Sequence, residues 1–209
     1  IEDSGKTVFL NIGKWEIRKG HDVLSEAFDK AFGENDNVEL WMMNHNPFLN
    51  ETDDREWRRM YQTGRLANKI KLIERVKSHN QVADIMRKAD CGVFPSRAEG
   101  WNLEALEMMS CGRQVIVTDY SAHTEFCNAS NSHLIDIGPL EPAFDGIWFN
   151  GQGNWAKIGD GQIQQLSDHM RKIHEQKESN EDIFNLSGIE TSKEFSWENT
   201  VESIVAGVL

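Results

Sequence analysis

Two glutamates set eight positions apart are the most informative pair of residues in the sequence. Glu99 follows a short apolar run, Cys91–Phe94, and Glu107 lies in a segment with helical periodicity. A helix rises ~1.5 Å per residue, so the two carboxylates would stand roughly 12 Å apart along its axis. Amide groups at the start of that helix would attract an anion between them. The arrangement suits a ligand with hydroxyl groups at both ends and phosphates in the middle, as in a nucleoside diphosphate sugar.

The elements that must position these acids alternate along the chain. Buried parallel strands are continuous apolar runs, and such runs lie at Thr7–Ile12, Val38–Met43, Ile70–Val76, Cys91–Phe94, Val115–Val117 and His133–Ile137. Helical periodicity is found over His21–Phe32, Asn80–Lys88 and Gln162–Lys177. This alternation predicts an α/β fold, a Rossmann-like parallel sheet with helices on both faces.

The helix that carries Glu107 is expected to begin near Trp101 and to end at the Cys111-Gly112 turn. Its spacing predicts an inward stripe formed by Leu103, Leu106 and Ser110. Other segments have weaker patterns. Residues 44–68 predict an irregular crossover with a short helix near 55–61, residues 138–159 a long loop, and residues 182–209 a helical end.

Three cations follow the first predicted strand. Gly13 ends that strand, and Lys14, Arg18 and Lys19 lie in the loop before the next helix. Open α/β sheets bind ligands at the carboxyl ends of their strands, where this loop would stand. The net charge of the chain is −12, so an anionic ligand must be held by local cations rather than by the overall field.

The stretch from Pro95 to Gly112, with the strands on either side of it, closely resembles the donor-site signature of retaining GT-B glycosyltransferases of the family 4 type (glycosyl transferases group 1). The resemblance runs from Phe9 to Trp197 and covers only the C-terminal donor-binding domain of the family's enzyme. It implies one nucleotide-sugar-binding domain over residues 1–209, with a terminal helix at about 196–209 and without the N-terminal acceptor domain. It also implies a retaining hexosyltransferase that needs no metal and no cofactor.

The same resemblance implies roles for single residues. Lys14 stands in the place of the family's arginine and Lys19 in that of its lysine, so both would hold the donor diphosphate. Glu99 would orient the hydroxyl groups of the transferred sugar. Together with Lys14 and Lys19 it would form the catalytic residues. Lysine at position 14 cannot make the bidentate fork of arginine. The donor-binding residues would be Gly13, Val76 near the nucleobase, Gly100, Trp101, Asn102, Leu103 and, on the ribose hydroxyls, Glu107. For Arg18, a solvated position and a ligand contact are equally open.

Departures from the family pattern leave other functions open. Ala122-His123 replaces the usual Gly-Gly before Thr124-Glu125, and lysine replaces arginine at 14. An alternative is therefore a non-catalytic nucleotide-binding module or a degenerate partner subunit. A dinucleotide dehydrogenase is disfavoured because no Gly-x-Gly-x-x-Gly follows the first strand. The isolated chain is expected to bind donor weakly and to transfer nothing.

Composition excludes several other classes of protein. A net charge of −12 argues against nucleic-acid binding, which needs a basic surface. No apolar run approaches the ~20 residues of a membrane span, and no signal segment opens the chain, so we expect a cytoplasmic protein. Any peripheral membrane contact would come through the missing N-terminal half. The chain begins at Ile1, which indicates a fragment or a processed product. Trp148 is expected to pack in the core or in a lid rather than to stack on a sugar.

Overall fold

The centre of the structure, a computed structural model that describes residues 5–208, is a parallel sheet. Its strands are β1 (Thr7–Gly13), β2 (Val38–Asn44), β3 (Ile70–Leu72), β4 (Cys91–Phe94), β5 (Gln114–Thr118) and β6 (His133–Ile135). They form one six-stranded sheet in the order β3-β2-β1-β4-β5-β6, and every pairing is parallel. The Rossmann-like α/β fold predicted from the sequence is confirmed.

Helices cover both faces of this sheet. They are α1 (His21–Ala31), α2 (Glu51–Gln62), α3 (His79–Lys88), α4 (Leu103–Ser110), α5 (Asp160–Glu178), α6 (Leu186–Glu194) and α7 (Trp197–Val208). Successive residues of a strand point to opposite faces. Phe9 of β1 accordingly joins the core cluster that contains residues of α1 and α5, whereas Val8 and Leu10 join the cluster that contains residues of α3 and α4.

Gly20 brings the two most important loops together. Its φ of 73° is left-handed, and a Cβ there would stand 2.1 Å from the carbonyl oxygen of Pro95. Glycine is therefore required for the β1–α1 loop (residues 14–20) to pack on the residues that follow β4. The amide of Arg97 completes the contact by donating to the carbonyl of Arg18 at 2.7 Å. The cation-bearing loop thus touches the loop that leads to Glu99.

The prediction of a long loop over residues 138–159 is wrong, because this segment contains an antiparallel hairpin. Its strands are β7 (Leu140–Phe144) and β8 (Asn150–Ala156). Asp145 fixes the turn by accepting hydrogen bonds from the amides of residues 147, 148 and 149. Most of β8 is exposed, and two glycines interrupt it, so the sequence carries neither the apolar run nor the alternation that indicates a strand.

Smaller differences have similar causes. The third strand ends at Leu72 rather than Val76. Residues 51–62 form a full helix, capped by the Asn50 side chain, instead of the short one predicted within an irregular segment. The helical end consists of two helices, α6 and α7, and Leu209 lies outside the described residues. On α4, Leu106 is buried, but Leu103 and Ser110 are exposed, so the predicted inward stripe is wrong. Ala105, Met108 and Met109 are buried instead.

Candidate functional site

Glu99 is the centre of a buried ionic cluster at the carboxyl edge of the sheet. One of its oxygens accepts from the Arg18 guanidinium at 2.6 Å, and the other accepts from the Lys19 ammonium at 3.1 Å. The Ser96 hydroxyl donates to this second oxygen at 2.8 Å. Only 6% of the Glu99 side chain is exposed. Burial alone would raise the pKa of Glu99, but the charges of Lys19 and Arg18 outweigh it and hold the pKa below its usual value. Glu99 is therefore a carboxylate at neutral pH, able only to accept hydrogen bonds.

Arg18 ties the two loops to each other. Besides Glu99, its guanidinium bonds the carbonyl of Ala98 at 2.7 Å and the carboxylate of Glu16 at 2.8 Å. The sequence left the position of this residue open. The signal that could have placed it is indirect: Gly20, two residues later, must pack against Pro95, and this brings the loop onto the Glu99 segment.

Lys14 lies apart from this cluster. Its ammonium stands 5.2 Å above the ring of Phe48, and the side chain is exposed. Within residues 5–208 it makes no ion pair. Of the three cations in the loop, the structure brings Arg18 and Lys19 to Glu99 and leaves Lys14 facing outward. Gly13 lies beneath Lys19, since a Cβ at Gly13 would meet the Lys19 stem at 3.2 Å.

The start of α4 depends on a buried histidine. Asn102 has a left-handed φ of 72°, and its side-chain oxygen accepts from the amide of Ala105. Its side-chain nitrogen lies 2.7 Å from Nε2 of His123, whose Nδ1 lies 3.0 Å from the carbonyl oxygen of Thr118. A carbonyl can only accept, so Nδ1 carries the proton and Nε2 accepts from Asn102. Burial lowers the pKa of His123, which agrees with a neutral ring. His123 thus holds the first turn of α4 in place.

Glu107, unlike Glu99, is not held by cations within residues 5–208. It is exposed on α4 and has no cation partner among the described residues. Partial burial raises its pKa, and the neighbouring charge of Glu104 raises it further. Glu104 itself stands 3.6 Å from Lys19. Glu107 is left with free acceptor oxygens on the same helix that begins beside Glu99.

The remaining predicted donor-binding residues surround the start of α4 or lie further along the sheet edge. Gly100 is exposed, and a Cβ there would meet nothing within 4 Å. Leu103 is 54% exposed. Trp101, in contrast to these two exposed residues, packs on Phe126 and Phe195, with ring centres 5.4 and 5.2 Å away. Val76 follows β3 and packs, half-buried, on the core cluster beside α3.

No group of three or more His, Cys, Asp or Glu side chains within residues 5–208 is arranged to hold a metal ion. None of the helices described there is long and apolar enough to cross a membrane. The three cysteines are free thiols.

The parallel sheet, with an acidic and basic cluster at its carboxyl edge, defines a Rossmann-like domain of the kind found in the C-terminal halves of GT-B glycosyltransferases. The sequence profile described as glycosyl transferases group 1 matches residues 6–141. The chain therefore belongs to this family, as the sequence resemblance predicted. None of the curated proteins compared with the chain matches it.

Several solved structures share this fold. HepE of Anabaena, in complex with UDP-glucose, is 15% identical with a TM-score of 0.73, and the match covers 97% of this chain and 48% of HepE. The C-terminal domain of LpcC, a glycosyl transferase group 1 protein of Francisella tularensis, is 18% identical with a TM-score of 0.67, covering 90% of this chain and 84% of that domain. Sucrose-phosphate synthase of Thermosynechococcus elongatus is 17% identical with a TM-score of 0.72, covering 100% and 46%. The chain thus spans about half the length of HepE and of the synthase.

Proposed function

We propose that this chain binds the nucleoside diphosphate sugar used by a retaining hexosyltransferase of the family 4 type. The observation that carries the proposal is the Glu99 cluster, which lies at the carboxyl edge of a parallel sheet in a chain of the glycosyl transferases group 1 family. The similarity in fold to HepE, solved with UDP-glucose, supports it. The acceptor would be held mainly by a second, N-terminal domain outside this sequence.

The chemistry of transfer requires positive charge where this cluster lies. The bond between the anomeric carbon and a phosphate oxygen breaks, and negative charge grows on the departing diphosphate. Fixed cations and amide dipoles lower that barrier without reorganising during the reaction. Lys19 and the amides of residues 100–103 are the fixed groups here. Lys14 has no ion pair among the described residues, so it can rotate away from Phe48 and supply a second cation when the diphosphate binds. No step in this scheme requires a metal.

The two acids of the motif would meet the two ends of the donor. Glu99, kept ionised by Arg18 and Lys19, accepts hydrogen bonds from the sugar hydroxyls and so orients the anomeric carbon. Glu107 accepts from the ribose hydroxyls with oxygens that no protein cation occupies within residues 5–208. Gly13, Gly100 and the backbone of Trp101, Asn102 and Leu103 leave room for the phosphates, and Val76 borders the base.

A non-catalytic nucleotide-binding module is the second candidate. Two observations favour it: Lys14 points toward Phe48 rather than toward Glu99, and the buried His123 ring stands where the family has a glycine pair. Such a module would bind the nucleotide without catalysing transfer. The full-length protein would distinguish the two candidates, because only the enzyme would release nucleoside diphosphate from the donor in the presence of an acceptor.

Binding to this chain can be tested directly by calorimetry with UDP, ADP, GDP and UDP-glucose. Replacing Lys19 or Lys14 with alanine should weaken the preferred diphosphate about tenfold, the loss of roughly one ion contact or 1.4 kcal/mol. Lys30→Ala is the matched control, because Lys30 is exposed near the end of α1. The proposal would be wrong if no nucleoside diphosphate bound, or if both loop variants bound as tightly as the control.

A further inference from the structure

A cleft lies beside the β1–α1 loop, and no residue of α4 lines it. It has a volume of ≈ 470 Å³ and is lined by the β1–α1 loop, the start of α1, the segment between β2 and α2, α2 itself and the turn of the β7–β8 hairpin. Trp15, Trp57 and Trp148 form its aromatic surface, and we call it the tryptophan cleft. Trp15 and Trp57 pack with the core cluster that contains α1 and α5, whereas α4 packs in the other cluster. Trp15 and Trp57 therefore pack on the opposite face of the sheet from α4.

The indole rings of the tryptophan cleft form a firm apolar wall. Trp15 and Trp57 are stacked, with ring centres 5.8 Å apart and an angle of 5° between the planes. Trp148 remains 52% exposed although it packs edge-on against Phe48 at 5.6 Å. The hairpin turn that carries Trp148 is fixed by the three amide hydrogen bonds to Asp145. An exposed indole on a fixed turn is a ready stacking surface.

Trp15 also carries a hydrogen-bond donor with no partner. Its side chain is only 2% exposed, and its Nε1–H bonds to nothing in the described part of the chain. Buried donors in folded proteins are nearly always paired, because an unpaired one loses its hydration without compensation. Trp15 lines the cleft, so a ligand that displaced the atoms covering this N–H and offered an acceptor oxygen would remove the deficit.

The acids of the cleft limit what that ligand can be. Arg97 binds Asp22 through two hydrogen bonds, and Arg18 binds Glu16, so these two are already paired. Asp53 and Glu56, on α2, make no ion pair within residues 5–208. Carboxylates without a cation partner repel a phosphate and attract groups that donate hydrogen bonds.

A hydroxyl group satisfies both requirements at once, since it accepts from the indole N–H and donates to a carboxylate. An ammonium ion could meet the acids but could not accept from Trp15. The apolar C–H face of a sugar ring also matches the exposed indole surface. We propose that the tryptophan cleft binds a neutral pyranose ring of a saccharide.

Indole N–H resonances in a ¹H–¹⁵N spectrum provide the test. The chain has seven tryptophans, and Trp15→Phe identifies the resonance of Trp15. The probes are the methyl glycosides of glucose, galactose and mannose, with choline and UDP-glucose as comparison ligands. At least one methyl glycoside should shift the Trp15 resonance, and Trp148→Ala should weaken this binding about tenfold. Trp197→Ala, at a tryptophan that is 80% exposed elsewhere, should leave it unchanged.

The inference would be overturned if no methyl glycoside shifted the Trp15 resonance, if choline alone did so, or if UDP-glucose did so while the methyl glycosides did not. Equal affinity in Trp148→Ala and Trp197→Ala would also overturn it. Titration of UDP into the same sample separates this inference from the donor proposal. UDP binding without glycoside binding contradicts only the tryptophan cleft, and glycoside binding without UDP binding contradicts only the donor site.

Discussion

Glu99 and Glu107 belong to one motif but lie in opposite surroundings. Glu99 is buried and held by two cations, with a lowered pKa. Glu107 is exposed and has no cation partner within residues 5–208, and its pKa is raised. The first is fixed before any ligand arrives, which is the property expected of a group that orients a reacting sugar. The second keeps its oxygens available, as expected of a group that only binds. Helix α4 thus begins beside Glu99, an acid that cations already hold in place, and carries Glu107, an acid whose oxygens are available to a ligand.

The largest expected effect comes from removing the charge of Glu99. Glu99→Gln leaves Arg18 and Lys19 without their shared carboxylate in a site where little side-chain surface is exposed. Breaking a buried ion pair by removing one partner is strongly destabilising, so the free energy of unfolding should fall by about 3 kcal/mol. Urea unfolding followed by circular dichroism measures this. If the free energy of unfolding fell by less than about 0.5 kcal/mol, the usual size for a surface change, Glu99 would be no more firmly held than an exposed acid such as Glu107.

The next effect concerns the support of α4. His123→Ala removes the acceptor for Asn102 and the donor to Thr118, and it leaves a cavity where the ring is fully buried. The expected loss is about 2 kcal/mol, from unpaired buried groups together with the cavity. Thermal and urea unfolding measure the loss, and His45→Ala, at an exposed histidine, serves as the control. Equal stabilities of the two variants would show that His123 does not support the helix.

A smaller effect should appear in the pH dependence of stability. Burial lowers the pKa of His123 below 6.5 in the folded protein, so below about pH 6.5 the unfolded chain binds a proton that the folded chain excludes. Stability is therefore complete above about pH 6.5 and falls as the pH decreases. The slope in His123→Gln should be shallower by up to about 1.4 kcal/mol per pH unit. Unfolding curves between neutral pH and pH 5 measure it, and unchanged slopes would mean that His123 titrates alike in the folded and unfolded chain.

The smallest effect on stability is expected at Glu107. Glu107→Gln removes no ion pair seen in the described residues, so the free energy of unfolding should change by less than about 0.5 kcal/mol. The same variant should nevertheless weaken nucleoside diphosphate binding about tenfold, because it alters the acceptor for the ribose hydroxyls. Comparing UDP with its 2′,3′-dideoxy analogue would locate that loss. Equal losses for both nucleotides would mean that Glu107 does not contact the ribose.

Much of the fold could be predicted from the sequence because buried parallel strands are continuous apolar runs, as in β1 and β2. The β7–β8 hairpin could not be predicted, because most of β8 is exposed and the strand contains glycines. Surface strands of this kind are held by the turn at Asp145 and by pairing, neither of which leaves an apolar pattern.

The candidate site was predictable in part. The sequence places Glu99, Lys19 and Glu107 near one another through their spacing and the resemblance. Arg18 could not be placed, because its contact with Glu99 depends on the tertiary packing of Gly20 against Pro95. The bond between Asn102 and His123 joins residues 21 positions apart, and no local pattern connects them. The roles assigned to these residues remain predictions.

The most direct test of the central claim is a calorimetric titration of UDP-glucose, UDP, ADP and GDP into the wild-type chain, Lys19→Ala and Lys30→Ala. We predict that one nucleoside diphosphate or its sugar derivative binds, that Lys19→Ala weakens it about tenfold, and that Lys30→Ala leaves it unchanged. Absence of binding by every nucleotide, or equal affinities in the two variants, would contradict donor binding at the Glu99 cluster.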